Sequence, residues 1–162
     1  MTIAQIFQTM TYGTAPEAAD AARAWLDSHQ RKFDLFIDNK WVEAPSRFET
    51  YNPANGDKLA LIGDGGKPGV DLAAQAARAA FPAWSGLSGH ERARHLYAIA
   101  RNIQKHARLL AVLESLDNGK PIRESRDLDI PLVARHFYYH AGWAQLQERE
   151  LADYQPVGVI GQ

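Results

Sequence analysis

The stretch SGHERARHLYAIARNIQKHARLLAVLESLDNGKP, from Ser88 to Pro121, constrains the fold more than any other part of the chain. Ser88 and Glu91 stand three apart and predict a capping box, in which the hydroxyl accepts from the Glu91 N–H and the carboxylate reaches back to the Ser88 N–H. Behind the cap, Leu96, Ile99, Ile103, Leu110, Leu113 and Leu116 recur at steps near three, four and seven, with Arg, Lys, Gln and His between them. That spacing predicts one long amphipathic helical run. Gly119 supplies the positive φ that closes a helix, and Pro121 resists its continuation. A run this long needs an apolar partner layer.

Upstream, residues 1–13 carry no periodic pattern and read as an irregular lead. Thr14 and Glu17 predict a second capping box, with Pro16 in the first turn, opening a short alanine-rich helix that runs to about His29. From Phe33 the period changes to two. Phe33 to Ile37 and Trp41-Val42 predict a hairpin around Asp38-Asn39, where Asn39 tolerates φ > 0. Phe48 to Tyr51 predicts a strand that stops at the turn Asn52-Pro53-Ala54-Asn55-Gly56, and Lys58 to Ile62 predicts the next. Residues 63–69 predict a loop. Their glycine spacing fits neither G-x-G-x-x-G nor G-x-x-x-x-G-K-[ST], so a connection is the better reading than a phosphate cradle. Val70, Ala73, Ala74, Ala77, Phe81 and Trp84 predict an amphipathic helix of about four turns.

Beyond Pro121, Asp129 predicts a cap and Pro131 a first-turn position. Leu132, Val133, His136, Phe137, His140 and Trp143 then line one helix face. Leu146 to Tyr154 reads as a polar, acidic connection. The segment Pro156 to Gly161 is apolar without alternation, the pattern of a strand buried on both faces of a parallel sheet. No earlier strand suits it as a neighbour, because those are half-polar and hairpin-like. The chain therefore reads as an α/β protein with an incomplete sheet, the N-terminal portion of something larger. It divides into a helical lead (1–32), a hairpin and strand region (33–62), and a helical layer with a first buried strand (63–162).

The net charge of −1 provides no basic surface for nucleic acid or an anionic membrane. No apolar run approaches the roughly 20 residues that cross a bilayer. The N-terminus lacks the basic and apolar regions of a signal peptide. Cys is absent, which suits the cytoplasm and leaves no thiolate chemistry in these residues. His136 and His140 stand four apart and could share a metal, but no third ligand has matching placement, so core-edge histidines are the plainer reading. Asp127 with Asp129, and Glu148 with Glu150, are better read as a cap and a solvated connector than as an acid–base pair. Ser115 has no adjacent base. The aromatics Phe137, Tyr138, Tyr139 and Trp143 have the spacing of helix packing.

The order of FIDNKWVEA, YNPANGDKLALI, AARAAFPAWSGLSGHERARHLYAIARNI, LESLDNGKP, HFYYHAGWA and PVGVIGQ resembles the beginning of an aldehyde dehydrogenase, from about residue 33 onward. The preceding TYGTAPEAADAARAWLDSHQR looks like the entry segment of the sixteenth aldehyde dehydrogenase family, whose members carry a second, dehydrogenase-like region. The resemblance implies the N-terminal part of the aldehyde dehydrogenase fold, with a helical layer of the cofactor-binding domain beside antiparallel hairpin strands. It implies oxidation of aldehydes to carboxylic acids with NAD or NADP. No catalytic or cofactor-binding residue carries over, because the nucleophilic Cys, the general-base Glu and the cofactor loops of the family lie beyond Gln162.

One site carries over in part. Many members hold a structural monovalent cation between the residues before the N-P turn and the D-N-G motif, which here are Thr50, Tyr51 and Asp117, with a further backbone ligand outside this chain. The plainer reading is that Asp117 simply ends a helix. The connection Gln145 to Gln155 is shorter than the projecting interface hairpin of usual members, which argues against their tetramer and for a homodimer. The remainder of the polypeptide is the other partner the resemblance implies. Two rival roles are a non-catalytic dehydrogenase-like scaffold and a helical protein-interaction module.

Overall fold

The computed structural model describes residues 2–9 and 17–162. A short helix α1 (Ile3–Thr9) stands where the sequence predicts an irregular lead. Thr14 and Pro16 of the second capping box lie outside the described residues. Helix α2 (Asp20–Ser28) ends at His29, as its periodicity predicts, and buries Ala22 and Leu26.

Five strands follow: β1 (Lys32–Phe33), β2 (Leu35–Ile37), β3 (Lys40–Val42), β4 (Ser46–Tyr51) and β5 (Lys58–Asp64). β2 and β3 form the expected hairpin, with Phe36 opposite Trp41. Both Asp38 (φ 51°) and Asn39 (φ 58°) are left-handed, the two-residue turn that matches strand twist. β5 lies between β1 and β4. Its pairing with β4 is antiparallel, and its pairing with β1 is parallel, with Phe33 opposite Ile62. The hairpin-like pattern does not foretell the parallel pair, which joins residues distant in sequence.

In place of the loop expected at 63–69, β5 runs through Asp64 and helix α3 (Gly66–Ser85) begins almost at once. Asp64 Oδ1 accepts from the Gly66 N–H at 3.0 Å, an Asx turn that lets strand become helix in one residue.

The long run after Ser88 is two helices, not one: α4 (Gly89–Lys105) and α5 (Ala107–Asn118). The capping box at Ser88 and Glu91 is present in both directions. The break falls at His106, whose N–H is shared between the Asn102 and Ile103 carbonyls at 3.1 and 3.2 Å. Bending there lets α4 lie along the last helix while α5 packs mainly on the π-helical turn that follows it and also on α2.

Gly119, at φ 80°, closes α5. Pro121 does not keep the chain out of helix for long. A turn α6 (Ile122–Glu124), a π-helical turn (Ser125–Asp129) and helix α7 (Ile130–Glu150) follow without interruption. Asp129 is consequently inside the helical path and makes no cap; its carboxylate pairs with Lys120 instead. α7 also absorbs Leu146 to Glu150, which the sequence assigns to a connector.

The α4–α7 seam is made of small residues. Ala93, Ala100, Ala134 and Ala141 are each at most 2% exposed, while Ile99 is 42% exposed. The two alanine pairs are seven apart, so they share a face, and their size lets the backbones approach. A Cβ on Gly89 would lie 2.1 Å from the Ala144 carbonyl oxygen.

Candidate functional site at the seam of strands and helices

The site is built where β4 meets the end of α5. β4 and β5 pair regularly from Ser46 opposite Asp64 to Thr50 opposite Ala60, and then the register slips so that Tyr51 faces Lys58. The extra residue on β5 is Leu59, a bulge that leaves ladder carbonyls unpaired. Arg31 attends to them: its Nη1 donates to the Lys58 and Leu59 carbonyls at 3.4 and 3.2 Å. The chain reaches that position through two left-handed residues, Gln30 (φ 54°) and Arg31 (φ 51°). Sequence reasoning missed Arg31, since nothing local distinguishes it from a surface arginine.

Just past the bulge, buried Asn52 organises the N-P turn. Its side-chain oxygen accepts from the Ala54 N–H at 2.9 Å, its carbonyl from the Gly56 N–H at 2.8 Å, and its own N–H donates to the Asp57 carbonyl at 2.8 Å. The turn therefore holds β4 and β5 at fixed separation.

The structure brings Thr50 and Asp117 together. Thr50 Oγ1 donates to Asp117 Oδ1 at 2.5 Å, across 67 residues of sequence. Thr50 is half-buried and Asp117 exposed at the rim. Beneath them lies an apolar cleft of about 510 Å³, walled by Phe33, Phe48 and Ile62 from the strands and by Leu113, Leu116 and Ile130 from the helices. Tyr51 is set apart from the pair, as strand alternation requires. Its hydroxyl donates to Glu49, whose carboxylate also receives Lys58 Nζ at 2.5 Å. The Lys58 ammonium first, and the Tyr51 hydroxyl second, hold the Glu49 carboxyl below the usual range, and that carboxylate holds the tyrosine above its own.

Thr50 and Asp117 offer hard oxygen donors of the kind that group 1 and 2 cations prefer. Among the described residues no group of three His, Cys, Asp or Glu side chains could hold a metal.

The remaining candidates resolve into structural roles. His136 and His140 lie exposed on α7. Asp127 pairs with Arg126 at 2.6 Å. Glu148 is exposed, as expected, but it lies within α7 rather than in a connector, and it accepts the Gly89 N–H at 2.7 Å and so caps α4 from across the helix pair. Ser115 donates to the buried Ser125 hydroxyl at 3.1 Å, inside the π-helical turn. Tyr138 packs near Tyr97 and donates to Gln104 at 2.9 Å, whereas Tyr139 and Trp143, 61% and 43% exposed, meet each other edge-on along the outer side of α7.

A second cleft of about 460 Å³ between the ends of α3 and α7 is lined by Trp84, Arg92, Gln147 and Tyr154. Arg92 is committed there to the Leu87 carbonyl and, at 3.0 Å, to the Gln147 side chain.

Similarity to known proteins bears on this arrangement. The model of the aldehyde dehydrogenase family matches residues 41–162. The chain is 38% identical to the EPTC-inducible aldehyde dehydrogenase of Rhodococcus erythropolis, over 94% of this chain and 32% of that protein. It is 39% identical to the mitochondrial aldehyde dehydrogenase of Sus scrofa, over 79% of this chain and 27% of that one. Among solved structures, HpcC from Thermus thermophilus superposes with a TM-score of 0.74 at 32% identity, over 84% of this chain and 27% of its own. PnpE in complex with nicotinamide adenine dinucleotide superposes with a TM-score of 0.68 at 41% identity, over 70% and 24%. The chain thus spans about a third or less of the length of the curated relatives it matches. With a family match over residues 41–162 and a shared fold, the chain belongs to the aldehyde dehydrogenase family.

Proposed function

We propose that this chain is the front portion of an NAD(P)-dependent aldehyde dehydrogenase that oxidises aldehydes to carboxylic acids. The observation that carries the reading is the match over residues 41–162, supported by likeness to a member that binds NAD. The nicotinamide, when bound, accepts hydride from the substrate carbon. This chain's own residues do not touch the reacting atoms. Their task is structural: the α4–α7 pair and α3 form a helical layer. The segment Pro156 to Gly161 forms no strand in this structure and leaves Val157 and Ile160 exposed; it becomes an early strand of the cofactor-binding sheet once the rest of the polypeptide supplies its neighbours. Residues 1–32 form a lead, 33–62 belong to the oligomerisation side, and 63–162 to the cofactor-binding domain.

Thr50, the Tyr51 carbonyl and Asp117 hold a structural monovalent cation, with a further backbone ligand from the rest of the polypeptide closing the exposed rim. The short stretch from Gln145 to Gln155 favours a homodimer and membership in the sixteenth family, and the lack of cysteine suits the cytoplasm.

The test is made on the product of the complete gene. Incubated with acetaldehyde and NAD or NADP, it is expected to form reduced nicotinamide, and thiol alkylation is expected to abolish this. A product that binds neither cofactor and has no Cys in its catalytic loop overturns the reading in favour of a non-catalytic scaffold.

A further inference from the structure

We infer that Pro53 and Gly119 are positioning residues: the two turn motifs interlock, and the interlock sets the distance between Thr50 and Asp117. Gly119 caps α5 at φ 80°, and a Cβ placed there would stand 2.7 Å from Pro53 Cγ and 3.5 Å from Pro53 Cβ. The proline ring thus rests directly on the glycine. Glycine is required twice at this point, for its left-handed backbone and for the missing side chain.

Each half of the interlock is anchored to one member of the oxygen pair. Pro53 is three residues from Thr50 and is held to the strand pair through buried Asn52, whose N–H reaches the Asp57 carbonyl at 2.8 Å. Gly119 is two residues from Asp117, and its N–H is bonded to the Ser115 carbonyl at 3.0 Å. Strand and helix therefore meet at two adjacent points, the ring on the glycine and the hydroxyl on the carboxylate. A shift at the first moves the second, because neither turn has slack to absorb it. The Thr50–Asp117 bond at 2.5 Å lies at the exposed rim, where a single hydrogen bond contributes little unless its partners are held in place. The Pro53 contact supplies that constraint.

This inference goes beyond the cation reading and rests on it only for the ion-dependent readout. In the protein made from its complete gene, Gly119→Ala is expected to abolish any extra thermal stabilisation by sodium or potassium over choline at equal ionic strength. Gly119→Ala with Pro53→Ala, which removes the ring atom nearest the new methyl, is expected to recover part of it. The second readout needs no ion. Thr50→Val and Asp117→Asn, singly and together, are compared in choline. With Gly119 in place, the two changes are expected to be non-additive by roughly tenfold in the unfolding equilibrium, as for residues in direct contact. In the Gly119→Ala background they are expected to be additive.

A Gly119→Ala variant that is less stable yet keeps the full coupling between Thr50 and Asp117 overturns the positioning role. Coupling lost in the Gly119→Ala background, without an ion effect in the parent protein, overturns the cation reading and leaves the positioning role standing.

Discussion

Asp34, like Glu49, gives the strand region a carboxyl held below its usual range, and Asp34 is the less exposed of the two. Burial pushes its carboxyl up, but Arg47, donating from Nε at 2.9 Å, the Ala44 N–H at 3.4 Å and nearby Lys32 together bring it below the usual carboxylate range. Its folded value is thus lower than the value of about 4 of an unfolded chain. The stabilisation is therefore present at neutral pH and is lost as pH falls from about 4 through the folded value. Asp34→Asn is expected to flatten the acid limb of a plot of Tm against pH, followed by circular dichroism. An unchanged limb would place the acid sensitivity elsewhere. At this scale, features made by near neighbours are legible in the sequence. The Ser88–Glu91 capping box and the Asp38-Asn39 turn need only a few residues to form, and both stand where the pattern predicts. Asp34 with Arg47, or Arg31 on the bulge carbonyls, depends on which loop returns to which strand.

Between elements, the decisive contact is the alanine seam of α4 and α7. The leucine and isoleucine spacing after Ser88 signals the helix and, through half-buried Leu96 and Ile103, its inward side, but it passes over Ala93 and Ala100, which lie on that same side and are fully buried. Ala100→Leu is expected to force the helices apart and cost about 1–3 kcal/mol, as overpacking of a tight core does, measured by chemical denaturation of the complete protein. Ala98→Leu, on the exposed side of the same helix, is expected to be nearly neutral. A large cost at Ala98 and none at Ala100 would mean that the seam lies on the other face. The break at His106 is invisible in the sequence because the periodic stripe continues through it, and only the packing of α4 along α7 and of α5 on the π-helical turn and α2 gives the chain cause to bend.

Across the whole molecule, too much apolar surface remains uncovered for a chain of this size standing alone. Leu132, Val133, Tyr139, Trp143 and Leu146 run along the outer face of α7, each between 38% and 61% exposed, and Val157 and Ile160 are almost wholly exposed with no strand beside them among the described residues. The 162-residue chain expressed by itself is expected to bind an apolar dye and to self-associate. A sharp, monomeric unfolding transition without dye binding would contradict the view that further polypeptide covers these faces. Most of the helix and strand content, the Ser88 cap, the hairpin and the ordered motifs of the family follow from the order of residues, because each depends on neighbours close together in the chain. That β1 joins β5 in parallel, that Ala93 and Ala100 form the tightest part of the helix seam, and that the Thr50–Asp117 pair implied by the family resemblance sits beside the Pro53–Gly119 contact became settled only when the elements packed. Those outcomes depend on which distant surfaces approach closely enough to exclude a side chain, and no local pattern encodes that distance.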